Sequence, residues 1–221
     1  MKVATFGCSW THGQPQIDNH YNWPLALKNL HPDWTIHNYA VAGSSLAFQV
    51  QLMDKVCSTE KYDLKIFQFT TVGRLTFFDD DIDYMIHFKE SQPGFKMFDI
   101  DDGFYRKLTV VTPGHTALNE TDSFWDFPKD KRSLVMLYYK HLNRSILRIE
   151  HRALIEYAKS RVDFCFFHNE DTIKFGGIPV ILDIAKAEKI ENIIADKGEH
   201  LNKLGIDWQT NWIDLQLRNI I

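Results

Sequence analysis

Three side chains in this sequence combine into one chemistry: the hydroxyl of Ser9, the imidazole of His200 and the carboxylate of Asp196. A serine hydroxyl is a poor nucleophile at neutral pH. It needs a base within hydrogen-bond reach, and that base is usually a histidine held by a carboxylate. Such a set performs acyl transfer, which also requires donors aimed at the oxygen that gains charge. The backbone N–H of Gly43, in a turn, is one candidate. Thr70, Thr71 and Arg74, after an apolar run, supply others.

These residues are far apart in the chain, so the elements before them must bring them together. The stretch Val3–Gly13, VATFGCSWTHG, reads as a buried strand over Lys2–Phe6 that turns sharply at Gly7 and leaves Ser9 at the exit. Trp23–Leu30 reads as a helix with Pro24 in its first turn and an apolar side of Trp23, Leu27 and Leu30. His31-Pro32-Asp33 ends it, and Trp34–Val41 reads as a second strand. Ser44 or Ser45 caps a helix running to about Ser58, with Leu46, Val50, Met53 and Val56 or Cys57 on one face. Tyr62–Thr70 is a third strand, apolar enough over Ile66–Phe69 to be buried on both faces.

Strand, turn and helix in alternation predict an α/β fold, a mostly parallel sheet with helices on both faces. Ligands of such sheets gather at the carboxyl ends of the strands. Residues 75–128 break the rhythm with runs of Asp and Phe. They are expected to form a structured insertion over one sheet edge, with a small hairpin around Arg106–Val111. Asp79, Asp80, Asp81 and Asp83 lack the Gly and terminal Glu of a calcium loop, and read as a solvated acidic loop.

Lys129–Lys159 predicts one long helix whose core face carries Leu134, Leu137, Tyr138, Leu142, Ile146, Ile149, Ala153 and Tyr157. His141 and His151 read as surface or satisfied histidines. Val162–His168 is a fourth strand, and Ile178–Asp183 is either a short fifth strand or a helix start. Leu201–Ile221 closes the chain as a helix with Leu204, Trp208, Trp212, Leu215 and Leu217 or Ile220 packed.

Composition narrows the classes. The 221 residues suit one domain, 44% are hydrophobic and 24% charged, and the formal net charge is −4. That balance argues against a nucleic-acid partner. No apolar run reaches membrane length and no secretory leader pattern opens the chain, so a cytoplasmic protein without membrane contact is expected. Three widely spaced cysteines form neither a disulfide framework nor a zinc pattern, so reduced thiols and no metal are expected. Cys8, beside Ser9, reads as a packed thiol rather than the nucleophile. Phosphate-binding glycine fingerprints are absent after the first strand, which sets aside a nucleotide-binding domain. No cofactor is expected.

The blocks together resemble the SGNH/GDSL hydrolases. The family's Gly-Asp-Ser-x-Ser/Thr-x-Gly is similar to Gly7-Cys8-Ser9-Trp10-Thr11-His12-Gly13, with Cys8 in place of the acid. Its Asn-to-Gly block matches Asn38 to Gly43. Its closing Asp and His, two residues apart, resemble Asp196 and His200, here with three between. Leu201-Asn202-Lys203-Leu204-Gly205 also resembles the family's continuation. The resemblance spans almost the whole chain. It implies a flavodoxin-like three-layer sandwich, with Ser9 as nucleophile, His200 as base and Asp196 orienting it. It gives the N–H groups of Ser9 and Gly43 as oxyanion donors.

The family's Gly-x-Asn-Asp block has no counterpart: Phe69-Thr70-Thr71-Val72-Gly73-Arg74 stands there instead. Losing one oxyanion donor costs on the order of 3 kcal/mol. Thr70, Thr71 or Arg74 is the expected replacement. The implied substrate is a small-molecule or carbohydrate ester, for instance an O-acetyl group. The competing reading is a non-catalytic binding or structural protein of the same fold, within a larger assembly such as a virion.

Overall fold

Lys2–Phe6 alternates its side chains between two cores, so both faces of this strand are covered. The structure, a computed structural model, describes residues 1–13, 21–70, 75–78, 88–98, 108–111, 144–169, 177–195 and 200–221. Its elements in chain order are β1 (Lys2–Phe6), α1 (Ser9–His12), α2 (Trp23–Leu30), β2 (Thr35–Asn38), α3 (Leu46–Thr59), β3 (Leu64–Phe69), β4 (Leu75–Phe78), β5 (Phe88–Gln92), β6 (Phe95–Phe98), β7 (Leu108–Val111), α4 (Arg144–Lys159), β8 (Phe164–Phe167), α5 (Ile181–Ala187) and α6 (Lys203–Leu217).

The main sheet has the order β5-β6-β2-β1-β3-β8. Five of these strands are parallel, and only the edge strand β5 runs antiparallel. Registers Thr5↔Asn38 and Phe6↔Phe67 bring the carboxyl ends of β1, β2 and β3 level. The chain crosses from one side of β1 to the other between β2 and β3, which opens a crevice at that end.

Val3, Ile36, Leu64, Ile66 and Phe166 face Trp23 and Leu27 of α2, Ile181 of α5, and Ile206, Ile213 and Leu217 of α6. Ala4, Phe6, Phe67 and Phe69 face Phe48 and Met53 of α3 and Ile155 of α4. The result is the three-layer α/β sandwich expected from the strand rhythm.

Several details differ from the sequence reading. The insertion does not only pass over an edge. Residues 88–98 extend the central sheet, where Ile36 N donates to Gly94 O at 2.8 Å. Leu108–Val111 pairs with Leu75–Phe78, not with a neighbour in a tight hairpin. Residues 129–143 of the long helix, with Leu134, Leu137, Tyr138 and Leu142, lie outside the described residues, as does the Asp79–Asp83 run.

The packed faces of the later helices are also rotated. On α4, among the described side chains, which begin at Arg148, His151, Ile155 and Ala158 are buried, while Ile149 is 69% exposed and Ala153 and Tyr157 face solvent. On α6 they are Ile206, Gln209, Thr210, Ile213, Asp214 and Leu217, while Leu204 is 61% exposed and Leu215 is exposed too. Leu30, expected on the packed side of α2, is exposed. Ile178–Asp183 resolves into a bridge at Val180 beside Phe167, then the start of α5. Among the described residues no helix is long and apolar enough to cross a membrane.

Candidate active site

The Ser9 turn is built by close approach. A Cβ on Gly7 would stand 2.1 Å from Thr11 Oγ1, so only glycine lets α1 fold back this tightly. Thr11 N and His12 N both donate to Cys8 O, at 3.0 and 2.8 Å, which makes Ser9 the first residue of a one-turn helix. So short a helix leaves its carbonyls without internal donors. Two buried asparagines supply them. Asn38 Nδ2, at the end of β2, donates to Thr11 O at 3.0 Å, and Asn22 Nδ2 donates to His12 O at 2.9 Å.

Asn38 is fully committed: its Oδ1 accepts from Thr5 Oγ1 and from Ala40 N, each at 3.1 Å. Gln68, on β3, anchors the turn from below. Its Oε1 accepts from Thr11 Oγ1, and from Trp23 Nε1 at 3.0 Å. Cys8 is wholly buried, in keeping with a packed thiol.

His200 is positioned by a different device. Ala195 N donates to His200 O at 2.7 Å, and Asn202 N to Ile193 O at 2.8 Å. These bonds tie residues 193–195 to residues 200–202. Asn202 then caps α6, accepting from Gly205 N at 3.0 Å. A Cβ on Gly205 would meet Ile193 O at 2.7 Å, so this glycine lets α6 begin directly against the pinned pair. The Asn and Gly that follow the histidine therefore have a mechanical role.

These two constructions meet. His200 Nε2 lies 3.1 Å from Ser9 Oγ, across 191 positions of sequence. Ser9 is only 6% exposed. A pocket lies beside the pair, lined by Ser9, Trp10, Gly13, Tyr21, His168, His200, Leu201, Ile206 and Gln209. Trp10 stacks on His168 with ring centroids 4.2 Å apart. Tyr21 OH donates to Asp207 Oδ1 at 2.5 Å. Burial, with that carboxylate, pushes the phenol's pKa up, so it stays a donor.

Of the remaining expected residues, Gly43 sits in the turn after β2 with φ 76°, a conformation that favours glycine. That turn is tied to the Ser9 turn by Val41 N donating to Gly7 O at 3.0 Å. Gly43 does not line the pocket itself. Thr70 follows β3, and extending the β1–β3 register places it beside the Ser9 turn. It is 1% exposed, and its Oγ1 has no hydrogen-bond partner among the described residues. Asp196, Thr71 and Arg74 lie outside the described residues.

Trp10, Tyr21, His168, Ile206 and Gln209 are pocket residues that the sequence reading did not single out. His168 ends a predicted strand and Gln209 lies mid-helix, and neither position carries a local signal of chemistry. Among the described residues no group of three His, Cys, Asp or Glu side chains is placed to hold a metal ion. Comparison with protein-family models and with curated proteins finds no match.

Proposed function

We propose that this chain is a serine esterase, an acyl hydrolase of the SGNH type. The observation that supports it is the 3.1 Å contact between His200 Nε2 and Ser9 Oγ at the carboxyl edge of a parallel sheet. Ser9 Oγ attacks the acyl carbon as its proton passes to His200 Nε2. The oxyanion accepts from the N–H groups of Ser9 and Gly43. The Thr70 hydroxyl takes the place of the family's Asn, with Thr71 and Arg74 as the other candidates. Collapse breaks the ester C–O bond, and His200 returns the proton to the leaving alcohol. Water, deprotonated by the same ring, then cleaves the acyl-serine to release the carboxylic acid. Asp196 orients the imidazole. O-acetyl groups on carbohydrates fit a pocket with aromatic walls.

The missing Asn favours a second reading, a binding or structural protein that retains the fold. Turnover of p-nitrophenyl acetate by wild type and Ser9→Ala separates the two. Loss of about 10⁴-fold or more in the variant is expected. Equal rates would remove Ser9 from the chemistry.

A further inference from the structure

Gln209 is the anomaly of the pocket wall. It is 1% exposed, it lies in the second turn of α6, and its Nε2 has no hydrogen-bond partner among the described residues. Its neighbours on the packed face are Ile206, Ile213 and Leu217, so an aliphatic side chain would suit the position.

The other buried polar side chains of α6 are paired. Thr210 Oγ1 donates to Ile206 O at 2.7 Å. Asp214 accepts from His31 at 2.6 Å and from Arg218 at 2.7 Å. Tyr21, also in the pocket lining, commits its hydroxyl to Asp207. A buried amide donor left unpaired costs stability, and a native structure retains one where something outside the chain completes it.

We infer that Gln209 is a specificity-determining residue that donates from Nε2 to an oxygen atom in the alcohol portion of the bound ester. The inference rests on the esterase reading. The side of the ester follows from the chemistry. The leaving oxygen must lie within reach of His200 Nε2 to be protonated. His200, Leu201, Ile206 and Gln209 all line the one pocket beside Ser9. The alcohol portion therefore meets the amide. Esters of hydroxylated alcohols satisfy it, and esters of plain alkanols leave it unpaired. A site built around such a donor discriminates strongly against the analogue lacking the oxygen, whereas one methylene more or less changes rates little.

The test compares two acetates of equal size, 2-hydroxyethyl acetate and propyl acetate, with p-nitrophenyl acetate as the general substrate. Wild type is expected to favour the hydroxyethyl ester at least tenfold in kcat/KM. Gln209→Met keeps the volume and removes the donor. It is expected to bring the ratio within about threefold of unity and to raise the urea midpoint, since a buried unpaired amide has gone.

Equal wild-type rates on the two alkyl acetates overturn the inference and leave the esterase reading standing. So does turnover of p-nitrophenyl acetate with neither alkyl acetate accepted, or a ratio unchanged in Gln209→Met. A lower midpoint in that variant assigns Gln209 to packing and overturns the inference equally. Hydrolysis of none of the three esters removes the esterase reading and this inference together. The wild-type ratio needs no variant to fold.

Discussion

The two ends of the central sheet treat their polar groups in opposite ways. Lys2, Glu60 and Tyr62, by the amino ends of β1 and β3, form one bonded cluster that reaches His37 on β2 and Tyr39 just past its end. Lys2 Nζ and Tyr62 OH both donate to Glu60, and Tyr39 OH lies 2.5 Å from Tyr62 OH. His37 Nδ1 is 2.8 Å from Tyr62 OH. Burial lowers the His37 pKa, which keeps the ring neutral at physiological pH, and raises those of both tyrosines. At the carboxyl end, Gln68 Nε2, Thr70 Oγ1 and Gln209 Nε2 are buried without a partner among the described residues. One end is complete within the chain. The other carries unpaired donors around a serine and a histidine. Stability is invested in the first, and the second holds capacity for a ligand.

That contrast is sharpest for His200→Gln. Activity is expected to fall by about 10⁴-fold or more, with the urea midpoint almost unchanged, because the ring supports chemistry rather than packing. A variant that unfolds would show instead that the carboxyl end is structural.

Asn38→Ala probes the border between the two behaviours. It strands Thr11 O, Thr5 Oγ1 and Ala40 N in the interior. A loss of about 3 kcal/mol in urea unfolding, with a fall in ester turnover as the Ser9 turn loosens, is the expected outcome. Unchanged turnover in the folded variant would mean that Asn38 does not position the nucleophile.

Tyr62→Phe should do the reverse of His200→Gln. It removes the hydroxyl that joins Tyr39, His37 and Glu60, with an expected cost of about 1 kcal/mol and no change in kcat/KM. A change in kcat/KM would couple the two ends and spoil the comparison.

The smallest effect is a pH dependence. Burial pushes the Glu60 carboxyl up, but hydrogen bonds from Lys2 and Tyr62, with the Lys2 charge, outweigh it and hold it at about 2, against an ordinary 4.5. A depressed carboxylate adds stability above its unfolded pKa and loses it as pH falls toward the folded one. The Tm gap between wild type and Glu60→Gln should therefore be full at pH 6 and close between about pH 4.5 and 2. The carboxylate is partly exposed, which screens the effect. A gap independent of pH would show that the charge is not what matters.

The fold was largely legible because strands buried on both faces leave continuous apolar runs, as in Ile66–Phe69, and because glycine and serine mark the turns after them. Ser9 was legible because it follows the turn after β1, and His200 because Asp196 and His200 resemble the closing pair of the SGNH block. The edge hairpin was missed although Gln92-Pro93-Gly94 is a turn signal. Phe88–Gln92, FKESQ, is too polar to stand out as a strand. The packed faces of α4 and α6 were misread because apolar residues surround both helices, and tertiary packing alone selects which are covered. Gln209 escaped notice for a related reason. A glutamine in mid-helix reads as solvent-facing, and only the structure shows it buried in a wall.

Labelling with a fluorophosphonate probe, followed by peptide mass spectrometry, tests the central claim most directly. A single adduct on Ser9 in the folded wild type, absent from His200→Gln, is the expected result. A folded wild type that leaves Ser9 unlabelled, or labelling that persists equally without His200, would contradict the proposal that this imidazole activates that hydroxyl.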